Sequence, residues 1–200
     1  MRLHLASGNA HKAGEFAALA AASGLPVEIV AGGADGGMPP VVEDAGTFAS
    51  NARKKARALR AVLPAGSWVL ADDSGLCVAA LDGHPGVESA YYAGPAADSA
   101  ANLGKLVAAM RGVPADRRQA YFACVLVVID PPGSEHAFEG RCEGTLRDTP
   151  SGRPGFGYDP LFVPAGHALT FAELTEQEKN VLSHRGRAWA QLAAWLRSRA

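Results

Sequence analysis

Two adjacent carboxylates interrupt an apolar run in the segment Trp68-Val69-Leu70-Ala71-Asp72-Asp73-Ser74-Gly75-Leu76. Its first four residues are typical of a buried β-strand, and apolar character resumes over residues 76–81. We therefore predict a strand whose end carries Asp72 and Asp73. Because unpaired carboxylates are costly to bury in an apolar core, this position indicates either an exposed acidic turn or a metal-binding site.

Further carboxylates occur at Glu43 and Asp44, beside a Gly- and Pro-rich stretch at residues 32–40 that is predicted to be an irregular loop. Carboxylate oxygens are the ligands that Mg2+ accepts, together with waters and substrate phosphates. The two acidic segments together favour the metal site over the exposed turn. The residues alone leave open which carboxylates bind the metal, and both Asp44 and Asp72 remain candidates.

The N-terminal segment has the pattern of a strand, a polar loop and a helix. Residues 3–6 are apolar, Ser7-Gly8-Asn9-Ala10-His11-Lys12 is polar, and residues 15–20 have helical spacing. A loop that opens a helix directs backbone N–H groups at an anion, and Lys12 adds a positive charge. The spacing departs from the P-loop pattern G-x-x-x-x-G-K-[ST], so phosphate binding and an ordinary capped turn both fit the motif.

The rest of the chain carries both strand and helix signals. Residues 27–30, 121–129 and 136–144 are predicted strands, and a turn at residues 130–133 joins the last two into a hairpin whose second strand is the more polar. Thr47, Asp98 and Ser183 are predicted to cap helices with apolar residues at helical spacing. Thr175 and Glu178 have the spacing of a capping box.

Two further motifs have the residue types of a ligand site. Gly155-Phe156-Gly157-Tyr158-Asp159-Pro160 places two aromatic rings and a carboxylate on a backbone that can approach a ligand closely. A rigid turn with its rings in the core has the same pattern. Lys179 with Ser183-His184-Arg185-Gly186 offers positive charge and N–H donors to phosphates or base carbonyls, and the alternative is a solvated helix face with a hydrogen-bonded core histidine.

Composition limits the classes of function. With 48% hydrophobic and 20% charged side chains, residues 1–200 are expected to form one soluble domain, and the formal net charge of -1 gives no positive field for a nucleic acid. No signal-peptide core and no run of ~18 apolar residues is present, so we expect a cytoplasmic protein without membrane contact. The three cysteines and six histidines form no disulfide or zinc pattern.

Taken together, these segments resemble the inosine triphosphate pyrophosphatase family, specifically its bacterial, Ham1-like dITP/XTP pyrophosphatase members, across nearly the whole chain. Seven ordered segments carry the resemblance: Ala6-Ser7-Gly8-Asn9-x-x-Lys12; Glu43 with Thr47-Phe48; Asn51-Ala52-x-x-Lys55-Ala56; Ala71-Asp72-Asp73-Ser74-Gly75-Leu76; Pro85-Gly86-Val87-x-Ser89-Ala90; Gly155-Phe156-Gly157-Tyr158-Asp159-Pro160; and Glu173-Leu174-Thr175-x-x-Glu178-Lys179 with Ser183-His184-Arg185-Gly186. One departure is Ser50, where the family commonly has Glu.

The resemblance implies a fold and an activity. The fold is α/β, a long mixed central sheet flanked by helices, in two lobes with an active-site cleft between them, and members are usually homodimers. The activity is Mg2+-dependent hydrolysis of the deaminated purine nucleoside triphosphates ITP, dITP and XTP to the nucleoside monophosphate and pyrophosphate, which clears them from the nucleotide pool.

The resemblance also implies roles for individual residues. Glu43 and Asp73 would bind the metal, with Asp73 also accepting the proton of the attacking water, and Ser74 would touch the substrate. The triphosphate would be held by Ser7, Gly8, Asn9, Ala10, His11 and Lys12. The nucleotide pocket would be formed by Phe156, Gly157, Tyr158, Asp159, Lys179, His184 and Arg185, with the aromatic stacking on the purine and the last two residues at its keto edge.

Two other functions have to be separated from this one. A related house-cleaning pyrophosphatase would act on modified pyrimidine nucleotides. A catalytically silent nucleotide-binding or regulatory module would keep the phosphate loop and the aromatic pocket but would not need the carboxylates at Glu43, Asp72 and Asp73. A role in binding nucleic acid is disfavoured by the near-neutral charge and the absence of a basic run.

Overall fold

Six strands form one mixed β-sheet in this computed structural model, which describes residues 1–32, 38–152 and 157–199. The strands are β1 (Arg2–Leu5), β2 (Glu28–Ala31), β3 (Trp68–Val78), β4 (Gln119–Ile129), β5 (Glu135–Leu146) and β6 (Phe162–Pro164). Their order is β2-β1-β3-β4-β5-β6, with β1 parallel to β2 and β3, and β5 antiparallel to β6. The α/β class with a mixed sheet is thus confirmed.

The described helices are α1 (Ala10–Ala22), α2 (Phe48–Val62), α3 (Ser99–Ala109), α4 (Glu176–Leu182) and α5 (His184–Arg197). Thr47 and Asp98 cap α2 and α3 as predicted, and Thr175 forms a complete capping box with Glu178 at the start of α4. At the third position of α2, Ser50 is held by the Thr47 cap. Over the described residues, no helix has the length and apolar character needed to cross a bilayer.

The structure corrects the prediction for β3. The strand does not end at the acidic pair but runs through Asp72 and Asp73 as far as Val78. Asp72 is 0% exposed and Asp73 is 5% exposed, so the exposed acidic turn is also excluded. The prediction failed because it treated both carboxylates as unpaired, whereas lysines of α1 and α2 neutralise their charge inside the sheet and an amide of α2 donates a hydrogen bond.

The described chain divides into two compact units. Unit 1 comprises Met1–Asp73, Cys124–Gly140 and Arg185–Ala200 apart from the residues outside the description, and unit 2 comprises Ser74–Ala123 and Arg141–His184 with the same restriction. Unit 1 contains two apolar clusters, of which one packs Phe16 of α1 against Trp189 and Leu192 of α5. Unit 2 has a cluster built on Phe122, Phe162 and Phe171. That residues 1–200 make a single functional domain stays a prediction.

Candidate active site

Asp72 is a fully buried carboxylate of unit 1. Its Oδ2 accepts a hydrogen bond from Lys12 Nζ at 2.7 Å, and the side chain is fully buried. Burial alone would raise the pKa of Asp72, but the charges of Lys12, Lys55 and Arg185 outweigh it and hold the pKa at about 2. Asp72 therefore stays ionised near neutral pH and serves as the counter-charge of Lys12 in the first turn of α1.

Asp73, one residue further along β3, is held by two side chains of α2. Asn51 Nδ2 donates to Asp73 Oδ2 at 3.1 Å, and Lys55 Nζ lies 3.3 Å from Asp73 Oδ1. The same Lys55 nitrogen donates to Glu43 Oε2 at 2.7 Å, and Asn51 Oδ1 accepts from Ala45 N at 2.9 Å. Asn51 and Lys55 thus bring the acidic segment that precedes α2 to the carboxylate of β3.

The two neighbouring aspartates have opposite pKa shifts. Burial and the nearby charge of Glu43 together raise the pKa of Asp73 to about 6, although the charge of Lys55 opposes them. Such a carboxyl is ionised at neutral pH yet basic enough to accept a proton, which is the property required of a general base. Pairs of titratable groups with separated pKa values are a common feature of catalytic sites.

The donor set at this position fits a hard divalent cation. Glu43 and Asp73 present carboxylate oxygens to a common point, the Lys55 ammonium group, which shows that the local structure accepts a positive charge there. Across the described ranges no group of three or more His, Cys, Asp or Glu side chains is arranged to hold a metal ion. A pair of carboxylates suits Mg2+, which commonly keeps waters and substrate phosphates as its other ligands.

Stability in metal-free buffer should report the raised pKa of Asp73. A carboxyl whose pKa is higher in the folded state binds its proton more tightly there, so its contribution to stability decreases as the pH rises from about 4 through about 6. With EDTA present, Asp73→Asn should gain on wild type over this window, by on the order of 2 kcal/mol. Urea unfolding of both proteins at pH 4, 5, 6 and 7.5 measures the unfolding free energy of Asp73→Asn minus that of wild type. We expect this difference to increase from pH 4 to pH 6, and a difference that stays constant or decreases would contradict the assignment.

The predicted phosphate loop divides into two parts. Residues 7–9 form the loop, and α1 already begins at Ala10. The observed turn is therefore three residues shorter than the predicted turn of residues 7–12. Ser7 Oγ accepts from Asn9 N at 3.2 Å, and Asn9 caps α1 by accepting from Lys12 N at 3.2 Å. Gly8, Ala10 and His11 are exposed. This is a capped turn whose surface remains open to an anion, and phosphate binding stays a prediction.

Arg185 lies in unit 1 and is held by a residue that the sequence analysis did not select. Its Nη1 donates to Glu15 Oε2 at 2.6 Å, and both side chains are largely buried. His11 Nδ1 lies 3.9 Å from the same Glu15 oxygen. The first turns of α1 and the start of α5 are therefore joined through one carboxylate in unit 1.

Within unit 2, Asp159 and Lys179 form a largely buried ion pair, with Asp159 Oδ2 accepting from Lys179 Nζ at 2.6 Å. Tyr158 is 3% exposed and donates its hydroxyl to Ser89 O at 2.8 Å, so its ring belongs to the core rather than to an open stacking surface. Gly157 and Ser74 are partly exposed. Phe156 lies outside the described residues, and purine stacking by that ring stays a prediction.

His184 is also a core residue of unit 2. Its ring stacks on Phe122, with centroids 4.7 Å apart and an angle of 11° between the planes. Only 3% of the residue is exposed. The solvated helix face, one alternative for this motif, is therefore excluded for His184 and for the buried Arg185, while their contact with a nucleobase stays a prediction.

Sequence reasoning missed the roles of Asn51 and Lys55, although both stood in the segments that carry the family resemblance. A signal was present, because Lys55 lies three residues after Ala52 and four before Leu59, on the face that the apolar spacing of α2 predicted to be buried. A lysine on such a face requires a buried carboxylate partner. The chain offers such partners at Glu43 and Asp73.

Comparisons with known proteins place this chain in a family. The model of the Ham1 family matches residues 3–195. A protein of Opitutus terrae named dITP/XTP pyrophosphatase is 63% identical over 199 residues, covering 98% of each chain. A protein of Streptomyces coelicolor with the same name is 46% identical over 198 residues, covering 98% of this chain and 97% of its own.

Solved structures give the same result. The Ham1 protein of Coxiella burnetii superposes with a TM-score of 0.85 at 36% identity, covering 99% of both chains. The Ham1 protein of Staphylococcus aureus superposes with a TM-score of 0.84 at 32% identity over the full length of both. The chain belongs to the Ham1 family.

Proposed function

We propose that the chain is a nucleoside triphosphate pyrophosphatase that hydrolyses ITP, dITP and XTP to the nucleoside monophosphate and pyrophosphate. The observation that carries the proposal is Asp73, a buried carboxylate with a raised pKa beside Glu43, Lys55 and Asn51. Family membership and relatives named dITP/XTP pyrophosphatase at up to 63% identity support the substrate class. Removal of such nucleotides would keep them out of DNA and RNA.

In this proposal Asp73 accepts the proton of a water that attacks at the α,β linkage, and pyrophosphate leaves. Glu43 and Asp73 would hold Mg2+, which when bound supplies positive charge to the phosphate oxygens. The loop that begins at Ser7, the exposed first turn of α1 and Lys12 would orient the triphosphate. Lys55 would keep Asp73 and Glu43 in position and limit their mutual repulsion.

Selectivity would come from hydrogen-bond matching at the base. A donor satisfied by the 6-keto oxygen of hypoxanthine or xanthine would face the amino group of adenine and remain unpaired. Charged donors of the predicted pocket would be Arg185, which Glu15 holds in unit 1, and Lys179, which Asp159 holds in unit 2. Exclusion of guanine requires a further contact at the 2-position of the purine.

The reaction is tested by incubating the protein with Mg2+ and ITP, XTP, ATP or GTP and identifying the phosphorus-containing products. We expect pyrophosphate and monophosphate from ITP and XTP, with much slower turnover of ATP and GTP. Orthophosphate without pyrophosphate would refute the cleavage position. Reactions with dUTP and methylated pyrimidine triphosphates separate a pyrimidine-directed enzyme, and reactions with Mn2+, Ca2+ or EDTA test the choice of metal.

The assembly and the cellular location belong to the same proposal. The chain would act as a homodimer in the cytoplasm, without nucleic acid or membrane as a partner. Sedimentation velocity at micromolar concentration tests the dimer, and a mass of one 20.6 kDa chain would exclude it.

A further inference from the structure

Glu173 belongs to a segment that carries part of the family resemblance, but the mechanism above gives this residue no role. In the structure, residues 170–173 form a turn, here called the anchor turn, that is buried at Thr170 and Phe171. Phe171 N donates to Phe162 O at 2.9 Å, which ties the anchor turn to β6. It lies within unit 2, which also contains Asp159 and Lys179.

The anchor turn contacts the chain at Ser151, before the nucleotide motif of residues 155–160, and at Asp159, near the end of that motif. On the N-terminal side, Ser151 Oγ donates to Glu173 Oε1 at 2.6 Å, and Thr170 Oγ1 donates to Ser151 O at 3.0 Å. Within the motif, Asp159 O accepts a hydrogen bond from Ala172 N at 3.3 Å. Ser151 N also donates to Pro160 O at 2.9 Å, and this hydrogen bond joins the residue before the motif to the last residue of the motif.

Glu173 is the residue that holds these contacts together. Its Oε2 accepts from Thr170 N at 2.7 Å and lies 3.3 Å from Arg147 Nη1. The hydrogen bonds from Ser151 and Thr170 lower the pKa of Glu173, so the carboxylate remains charged across the neutral range. Hydrogen bonds to a charged acceptor are stronger than those to a neutral acceptor. The charged carboxylate of Glu173 therefore stabilises the anchor turn more than a neutral side chain at this position would.

Gly152 gives independent support for a tight fit at this place. Its φ of +96° favours glycine, and a Cβ added there would lie 2.7 Å from the carbonyl carbon of Ala172. The backbone next to Ser151 therefore rests directly on the anchor turn, and no larger residue fits. The contacts of Glu173 and Gly152 fix the same stretch by different chemistry.

We propose that Glu173 is a positioning residue for nucleobase recognition, because the anchor turn fixes the backbone of Asp159 and thereby the direction of the Asp159–Lys179 pair. That pair is largely buried, with 8% of the Asp159 side chain and 13% of the Lys179 side chain exposed. An ion pair so enclosed has little freedom to correct a displaced backbone. The inference rests on the proposed function and adds a determinant of its substrate selectivity.

Steady-state kinetics with ITP and ATP tests the proposal with the variants Glu173→Gln, Ser151→Ala and Gly152→Ala. Misplacement of a binding pair affects substrate binding more than the chemical step, so we expect KM for ITP to rise about tenfold in Glu173→Gln while kcat changes less than about twofold. The ratio of kcat/KM for ITP to that for ATP should decrease in all three. Ser151→Thr, which keeps the hydroxyl group, should retain most of the wild-type ratio of kcat/KM for ITP to that for ATP.

A control and a double variant make the test specific. Glu176→Gln, an exposed carboxylate in α4, should behave as wild type. Because Ser151 and Glu173 act through one hydrogen bond, Ser151→Ala combined with Glu173→Gln should raise KM little beyond Glu173→Gln alone. A lower melting temperature with unchanged KM and unchanged ITP/ATP ratio would overturn the proposal.

The outcomes also separate this inference from the proposed function. Wild-type protein that releases no pyrophosphate from ITP would refute the function before any variant is measured. An active wild type whose selectivity survives Glu173→Gln and Ser151→Ala would refute only the positioning role. If Glu173→Gln does not fold, Ser151→Ala, which removes a single hydroxyl group, decides the question.

Discussion

Asp73→Asn should abolish release of pyrophosphate from ITP without unfolding the protein. The substitution keeps the size of the side chain and an oxygen for Asn51, but it removes the proton acceptor and a charged metal ligand together. General-base catalysis alone contributes about 10²–10⁴-fold, so kcat/KM should decrease at least about 10³-fold. The measurement is pyrophosphate release at pH 8 with saturating Mg2+, with circular dichroism of the same sample as the test of folding.

Asp44→Asn is the matched control, because Asp44 stands beside Glu43 and the sequence alone left it open as a metal ligand. In the structure its side chain is 65% exposed and pairs with Lys54. Loss of an exposed ion pair has little effect, so this variant should keep activity within about twofold of wild type. Equal losses in both variants, or an active Asp73→Asn, would contradict the role of Asp73.

The elements predicted correctly from the sequence are those that depend on local signals. Thr47, Asp98 and the Thr175–Glu178 capping box start helices where the sequence predicts them, because a cap needs only residues within one turn. The hairpin of β4 and β5 was also predicted, since alternating polarity over residues 136–144 follows the two-residue period of a strand with one wet face. The family resemblance added the order of the motifs.

The sequence predicted which acidic residues form the candidate site, but it did not predict their burial or the side chains that pair with them. A single carboxylate in a strand gives no indication of which cation from another element will meet it, and burial is decided by that partner. Asp72 meets Lys12 from 60 residues away, and Asp73 meets Lys55 from 18 residues away. For the same reason the core positions of Tyr158 and His184 could not be distinguished from a ligand-facing arrangement by the motif alone.

Lys12→Met should lose both folding stability and hydrolysis of ITP. The substitution removes the nearest positive charge from the fully buried Asp72, and breaking a buried pair on one side costs about 3 kcal/mol or more. Lys55 and Arg185 also lower the pKa of Asp72, so we expect the lower end of that range, about 3 kcal/mol at pH 7.5. Lys54→Met, which breaks the exposed pair with Asp44, should cost less than about 0.5 kcal/mol in the same urea unfolding experiment.

The double variant Lys12→Met/Asp72→Asn separates the two effects of Lys12. Removing the buried charge along with its partner should restore much of the stability, because the uncompensated carboxylate causes most of the loss. Hydrolysis of ITP should not return, since the proposed site still lacks the positive charge beside the phosphates. Recovery of both stability and hydrolysis would mean that Lys12 serves only as the counter-charge of Asp72. Equal stability losses for Lys12→Met and Lys54→Met would mean that burial of the Lys12–Asp72 pair has no energetic consequence.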